Sequence, residues 1–516
     1  MQLACFEISD ASGVIQRTPN PLALEAYRGS DISPLALLEY QRAKTVLDSH
    51  ATDSNIVVPH PPDRNFLPYQ RAGIAYAAAH LLTLIGDEPG TGKTIQAIGL
   101  SNYLPEIRRI LIVSPAALKL NWSREWRGWD TKELSIGIVN GTKDVFPMTD
   151  VVIINYEILK TYRWPLRRIN WDLMIVDEAH RLKNKKTNRT REVLGGIQRN
   201  AKKEIIDRCS AIPADRKLFL TGTPSLNGKP KELWPLLQAL DPSGLGLDWY
   251  NYAKRYCQLQ EIMQYSFETH KNERVGWIWD GADNLGELQQ IMRSRFLVRR
   301  LKCDVLKDLP EKDRRVVVIE PGRMKKKIQK ELETFEAYAK NNPDAYDKMP
   351  AFEGFSQMLH ETGLALVKPA IEIIEDDMEE RDKIVVMAYH KDVAGKIFEH
   401  FKDRALLVTG DIAPEKRVPI VDRFQKEPIF KVLVCTQDSA SEGLTMTAAS
   451  LMIFVERSWQ RGGIIQAEDR IHRIGQKSRA VYKHLVLADS LGERQIRSFV
   501  AKQNNSEKML DKPKEI

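Results

Sequence analysis

At 516 residues with 43% hydrophobic content, the chain can bury more than one core, about two to four domains at ~150 residues each, which excludes a fibrous or disordered polymer. Lysine and arginine outnumber aspartate and glutamate 77 to 69, and the net charge of +8 suits a polyanionic partner without demanding one. The five cysteines (Cys5, Cys209, Cys257, Cys303, Cys435) are odd in number and widely spaced, and no apolar run nears the ~20 residues of a membrane span. These features argue against a disulfide framework, a zinc site, secretion or a membrane anchor, and for a reducing cytoplasmic or nuclear setting.

Residues 1–60 read as an N-terminal appendage, in which the helix-like "PLALLEYQRAKTVL" leads into the proline-rich "VVPHPPDRNFLP". From there to residue 310, the apolar runs "RILIVSP", "DVVIINYE", "DLMIVDEAH" and "KLFLTGTP" are bounded by turn residues and separated by helix-compatible segments. Buried parallel strands have this appearance. The pattern restarts over 311–516 as "DKIVVMAYHK", "RALLVTGD", "FKVLVCTQ", "SLMIFVE" and "VYKHLVLAD". The expected fold is α/β, two doubly wound parallel-sheet lobes, with helical insertions near 241–300 and 322–380. The charged "LPEKDRR" reads as a linker between the lobes, and Met324, Ile328, Leu332 and Phe335 lie at helical spacing on what reads as a packing face.

"GDEPGTGKT", residues 86–94, sits after an apolar run and before a helix-like segment. Its glycines free backbone N–H groups to face an anion, Lys93 can reach terminal phosphates, and Thr94 offers a hydroxyl to Mg²⁺. Asp87 stands where a strict phosphate-loop pattern has glycine, and Pro89 has no N–H to donate. Asp87, Glu88, Pro89, Gly90, Thr91, Gly92, Lys93 and Thr94 are therefore the candidate ATP-binding loop. Asp177 and Glu178, ending the strand "LMIVDEAH", would hold Mg²⁺ and activate the attacking water respectively, with His180 coupling the site to its neighbours. In "QAEDRIHRIGQ", Arg470 and Arg473 are spaced for one helix face and are candidate arginine fingers that act when the lobes close.

The series "LPYQRAG", "GDEPGTGKT", "LIVSPAALKLNWSREW", "INYE", "DEAHRLKN", "LTGTP", "LVRRLKCDVLKDLPEK", "EGLTMTAAS" and "QAEDRIHRIGQ" resembles the Swi/Snf-type ATPases of helicase superfamily two, and spans residues 66 to 500. "YAKRYC", "GADNLGELQQIMRSRFLVRRLK" and "IIQAEDRIHRIGQ" are most similar to the annealing-helicase branch, which rewinds DNA and remodels stalled forks. The resemblance implies that the two lobes are RecA-like, with ATP and Mg²⁺ between them and duplex DNA across both. It places Gln70 against adenine, gives Thr221 and Thr223 a part in coupling hydrolysis to lobe movement, and lines a DNA track with Ser114, Lys119, Trp122, Asn155, His390, Lys391, Thr436 and Gly443. Taken by itself, Trp122 reads as a packing aromatic.

The sequence departs from the family pattern at Ser439, Ala440 and Ser441, where relatives carry glycines, and in a longer stretch between the acidic motif and "LTGTP". There Lys183, Lys185, Lys186, Arg189 and Arg191 are candidates for an extra basic surface. With no zinc module, nuclease motif or long flank legible, the expectation is a compact bacterial, viral or nuclear DNA-dependent ATPase that translocates on duplex or forked DNA. The rival readings are a strand-separating DNA or RNA helicase, for which no separation hairpin is legible, and a nucleotide-switched module that loads a nuclease or RNA polymerase.

Overall fold

The computed structural model describes residues 6–9, 15–18, 31–32, 34–222, 224, 228–266, 271–310, 312–341, 355–440, 444–457, 461–494 and 496. Thr223, Ser441 and Gly443 lie outside them. Near the N-terminus β1 (Phe6–Ser9) pairs antiparallel with β2 (Ile15–Thr18) and β3 (Asp31–Ile32), and the helix Pro34–His50 follows.

The first lobe is built on β4 (Leu82–Ile85), β5 (Ile110–Ser114), β6 (Ile136–Ile138), β7 (Val151–Asn155), β8 (Trp171–Asp177), β11 (Ala214–Leu220) and β14 (Leu297–Val298), all parallel in the order β14-β4-β11-β8-β5-β7-β6. Two hairpins stand outside this sheet: β9 (Gly196–Arg199) with β10 (Ile205–Cys209), and β12 (Gln260–Ser266) with β13 (Lys271–Ile278). The second lobe carries β15 (Lys312–Ile319), β16 (Ile384–Ala388), β17 (Ala405–Val408), β18 (Val432–Thr436), β19 (Leu451–Phe454) and β20 (Ala480–Leu487), parallel in the order β15-β20-β19-β16-β18-β17.

Helices cover both faces of each sheet, so successive strand residues enter different cores. Leu111 and Val113 of β5 join one cluster and Ile110 and Ile112 the other. In the second lobe Val386 and Val385 of β16 divide in the same way. Period-two burial into two apolar layers is why these strands read as unbroken apolar runs.

The stripe on the helix Lys325–Asn341 packs as read, with Ile328, Leu332 and Phe335 buried in the second-lobe core. Two readings change. "LPEKDRR" is not all linker, because β15 starts inside it at Lys312 and pairs with β20 along its whole length. The segment near 241–300 is also not purely helical: the helices Trp249–Tyr256 and Leu285–Arg293 flank the β12–β13 hairpin. Among the described residues, no helix is long and apolar enough to cross a membrane, and Cys209, Cys257, Cys303 and Cys435 are free thiols.

Register places the chemistry on one edge of each sheet. Leu220 aligns with both Ile85 and Asp177, and Ser114 with Asn155, so the phosphate loop, the acidic pair and Thr221 all leave the carboxyl ends of neighbouring parallel strands. Open parallel sheets bind their ligands at that edge. In the second lobe Ala388 aligns with Thr436, bringing the His390–Lys391 turn to the corresponding edge.

Candidate active site

Gly90 and Gly92 hold φ of 83° and 80°, a region that L side chains rarely adopt. A Cβ on Gly92 would come within 2.6 Å of Gln70 Nε2, and one on Gly90 within 2.9 Å of Arg473 Cγ. The loop is thus held in glycine-only conformations with a second-lobe arginine packed against it. Lys93 opens the helix Lys93–Tyr103 and curls back into the loop, its Nζ donating to the carbonyls of Asp87 (2.7 Å) and Glu88 (3.0 Å). Burial lowers its pKa, opposed by the charges of Glu178, Asp87 and Asp177.

At the end of β8, Asp177 Oδ2 accepts from the indole N–H of Trp122 at 2.8 Å, and Oδ1 from the backbone N–H of Glu178 at 2.9 Å. Burial and the neighbouring charge of Glu178 raise the pKa of Asp177. Burial pushes Glu178 the same way, but the hydrogen bond and charge of His180, with Lys93 and Arg470, outweigh it and hold Glu178 low. Glu178 sits at φ 50°, a left-handed backbone that costs on the order of 1–3 kcal/mol and turns the chain directly after Asp177. His180 Nδ1 lies 3.2 Å from Glu178 Oε2 and 3.1 Å from Thr221 Oγ1, joining the acidic pair to the turn after β11.

A cavity of about 330 Å³ lies between the lobes. Pro89, Gly90, Gly92, Lys93, Thr94, Asp177 and Glu178 line it from the first lobe, and Thr445, Arg470 and Arg473 from the second. Arg473 Nη1 donates to Thr445 Oγ1 at 3.0 Å, and burial with the adjacent Arg470 pushes its pKa down to about 9. The donors fit Mg²⁺ with a nucleoside triphosphate: one hydroxyl (Thr94) and one carboxylate (Asp177) border a space that the glycine backbone and Lys93 also face. Mg²⁺ sites commonly combine one or two carboxylates with substrate phosphates rather than an all-protein cage. Among the described residues, no group of three or more His, Cys, Asp or Glu suited to a metal occurs.

Several candidates sit elsewhere than expected. The Asp87 carboxylate points away from the cleft into a buried pair with Arg300, accepting from Nε at 3.0 Å and Nη2 at 2.6 Å, and from Gln96 Nε2 at 2.9 Å. The Glu88 carboxylate accepts from Lys302 N at 2.6 Å, and the Thr91 hydroxyl donates to Glu88 O at 2.8 Å. The Gln70 amide is used inside the protein: Oε1 accepts from Leu67 N and Nε2 donates to Thr91 O, so it caps a helix and braces the loop.

Trp122 is 1% exposed and its indole is bound to Asp177, so its side chain does not stand on the surface where a DNA track was expected. Ser114, Lys119, Asn155 and Thr436 are also buried. Lys119 Nζ donates to Val139 O at 2.7 Å and Asn155 Oδ1 at 3.0 Å, Asn155 donates to Glu157, and Thr436 bonds Ser439. His390 is half-buried and bonded to Glu456 at 2.6 Å, whereas Lys391 is exposed and pairs with Asp411.

Sequence reasoning assigned no role to the strap after β14. Arg299 donates to the carbonyls of Gly86 and Gly222, Arg300 grips Asp87, and Lys302 Nζ crosses to Asp469 Oδ1 (2.7 Å) and His472 O (2.6 Å). A signal was available, because two arginines and a lysine directly after a buried apolar pair are costly unless each meets an acid or carbonyl.

The SNF2-related domain family matches residues 69–362, and the helicase conserved C-terminal domain family matches residues 366–475. The DNA annealing helicase and endonuclease ZRANB3 of Homo sapiens is 34% identical over 448 residues, which are 83% of this chain and 39% of that protein. The SWI/SNF-related matrix-associated actin-dependent regulator of chromatin subfamily A-like protein 1 of Xenopus tropicalis is 29% identical over 430 residues, 82% and 42% of the two chains. This chain thus spans about two-fifths of the length of these curated relatives. Among solved structures, the Sulfolobus solfataricus SWI2/SNF2 ATPase core in complex with dsDNA aligns over 89% of this chain and 99% of that one, with a TM-score of 0.40 and 19% identity. With the SNF2-related match alone covering more than half of its length, the chain belongs to the SNF2-related, Swi/Snf-type family of helicase superfamily two.

Proposed function

We propose that the chain is a DNA-dependent ATPase that moves along duplex DNA and rewinds or remodels forked and branched DNA. The observation that carries this reading is the interlobe cleft, where a phosphate loop and an acidic pair from one lobe face two arginines from the other. A catalytic set divided between two bodies is complete only while they are closed, so each turnover is tied to a relative movement.

In this reading Gly90, Gly92 and Lys93 hold the phosphates, and Thr94 and Asp177 hold Mg²⁺, which when bound neutralises and orients the terminal phosphate oxygens. Glu178, kept ionised by His180, Lys93 and Arg470, orients the attacking water and accepts its proton. His180 passes the change at Glu178 to Thr221. Arg470 and Arg473 meet the charge that develops on the transferred group. DNA is gripped through its phosphates, with Lys391 as the exposed second-lobe candidate, so little base preference and a steep salt dependence are expected.

The test is ATP turnover by the full chain without nucleic acid and then with blunt duplex, forked DNA, single strands or RNA, each at low and high salt. Stimulation by duplex or fork supports the motor. Stimulation by single strands or RNA alone would instead favour strand separation, and the absence of any stimulation would favour a nucleotide-switched loading module.

A further inference from the structure

The longer stretch between the acidic motif and "LTGTP" folds as the β9–β10 hairpin, which pairs with neither lobe's sheet. Register decides what each face carries. Arg208 lies opposite Ile197 and Ile205 opposite Arg199, so these four side chains share one face in a crossed arrangement of two arginines and two isoleucines. That face is turned to solvent: Ile197 is 45% exposed and Ile205 46%, and Ile206, at the register shift, is 56% exposed.

The other face is anchored. Gln198 Oε1 accepts from Arg191 at 2.7 Å, and Asp207 takes two hydrogen bonds from Arg163, in the short helix that follows the Asn155 turn. The tip carries Lys202 and Lys203, both exposed. Beneath β9 lies a cavity of about 890 Å³ whose wall continues the positive charge with Lys185 and Lys186. Lys185, Lys186, Lys202, Lys203 and Arg208 form no ion pair among the described residues.

Three clustered exposed isoleucines on a hairpin that joins no sheet do nothing for the lobe's core, and cations interleaved with them mark a polyanion rather than an apolar protein surface. We propose that this hairpin is a junction-reading pin: its cations hold phosphates, and Ile197, Ile205 and Ile206 press against base pairs exposed where a duplex branches. Apolar side chains can wedge against base steps in this way, at an unstacking cost of a few kcal/mol that is least where stacking is already interrupted. The face would therefore discriminate branched DNA from plain duplex. The inference rests on the duplex-motor reading and adds the element that selects the branch.

The test compares the full chain with Ile197→Ser/Ile205→Ser and with Lys202→Ala/Lys203→Ala, reading binding by anisotropy on a fork and on a blunt duplex of equal length, with turnover measured alongside. The serine variant should lose about five-fold or more of its fork affinity while blunt-duplex affinity stays within about two-fold. The alanine variant should weaken both and lower the salt slope by roughly two, one for each lost phosphate contact. Variants that bind both DNAs like the parent would overturn the pin and leave the face to a protein partner. Equal losses on fork and duplex in the serine variant would overturn branch selection. DNA binding without stimulated turnover would sink the motor reading alone, since anisotropy reports on the pin independently.

Discussion

Trp122 shows how a buried side chain can reach the candidate site: it borders the interlobe cavity and its indole N–H donates to the Asp177 carboxylate. That carboxylate has burial and Glu178 working to neutralise it. Trp122→Phe keeps most of the packing and removes the donor, so turnover should fall about 10- to 100-fold, as expected for a partner that orients a metal-binding group. A melting temperature within a few degrees of the parent would confirm that the loss is one of positioning. The sequence could place Asp177, because an acid ending an apolar strand is a local pattern. It could not show that Trp122, fifty-five residues earlier, reaches that acid. Asp87 failed for the same reason: inside a loop motif it reads as a ligand, while its partner Arg300 is 213 residues away. Removing one member of such a fully buried pair leaves an uncompensated charge, so Arg300→Ala should lower first-lobe stability by about 3–5 kcal/mol in denaturant titrations. An effect under about 1 kcal/mol would count against the pair as the brace of the loop.

At the scale of elements, most strands legible in the sequence are interior to their sheets, where burial on both faces makes an unbroken apolar run; β17 lies at an edge and was legible because its "ALLV" is itself apolar. β15 was hidden because it is an edge strand whose "KDRRVVVI" opens on four charged residues, of which Lys312 and Arg314 pair with the buried Asp469 and Glu468. The β9–β10 hairpin was hidden because four- and five-residue strands around a lysine-rich tip have the composition of a solvated loop. The turns that leave β16 and β19 are joined by His390, whose Nδ1 lies 2.6 Å from Glu456 Oε1; the His360 ring lies tilted against it with centroids 4.7 Å apart, and Asp392 adds a further negative charge. The bond from Glu456 raises the His390 pKa above its ordinary 6.5 against the pull of burial. A raised folded-state value means that the tie stabilises fully below about pH 6.5 and is lost as pH climbs through the raised value. The melting temperature of the parent minus that of His390→Asn should therefore shrink between about pH 6 and pH 8. A difference that stays flat or grows would refute the ionic tie.

Among the described residues, two separately cored lobes meet across the cleft. Lys302 crosses it to Asp469, Arg473 packs on Gly90, and Arg470 stands beside Arg473, so like charges are crowded where the lobes meet. Such crowding is unfavourable by itself: burial and Arg470 together push Arg473 down to about 9, and burial and Lys312 help to push Lys302 to about 8, against the pull of Asp469. Facing a phosphate loop, the same crowding becomes a preformed site for an anion that carries more charge in the transition state than before it. Arg473→Ala should then relieve the repulsion and leave the nucleotide-free chain no less stable. ATP should still bind through Gly90, Gly92 and Lys93, while DNA-stimulated hydrolysis falls about 10³-fold or more, the lower end of what an arginine finger supplies. Nucleotide binding measured by equilibrium titration, beside single-turnover hydrolysis, separates the two effects. Retained binding with lost hydrolysis assigns Arg473 to the closed cleft, whereas parallel loss of both would make it a ground-state phosphate ligand, and unaltered hydrolysis would remove it from the site.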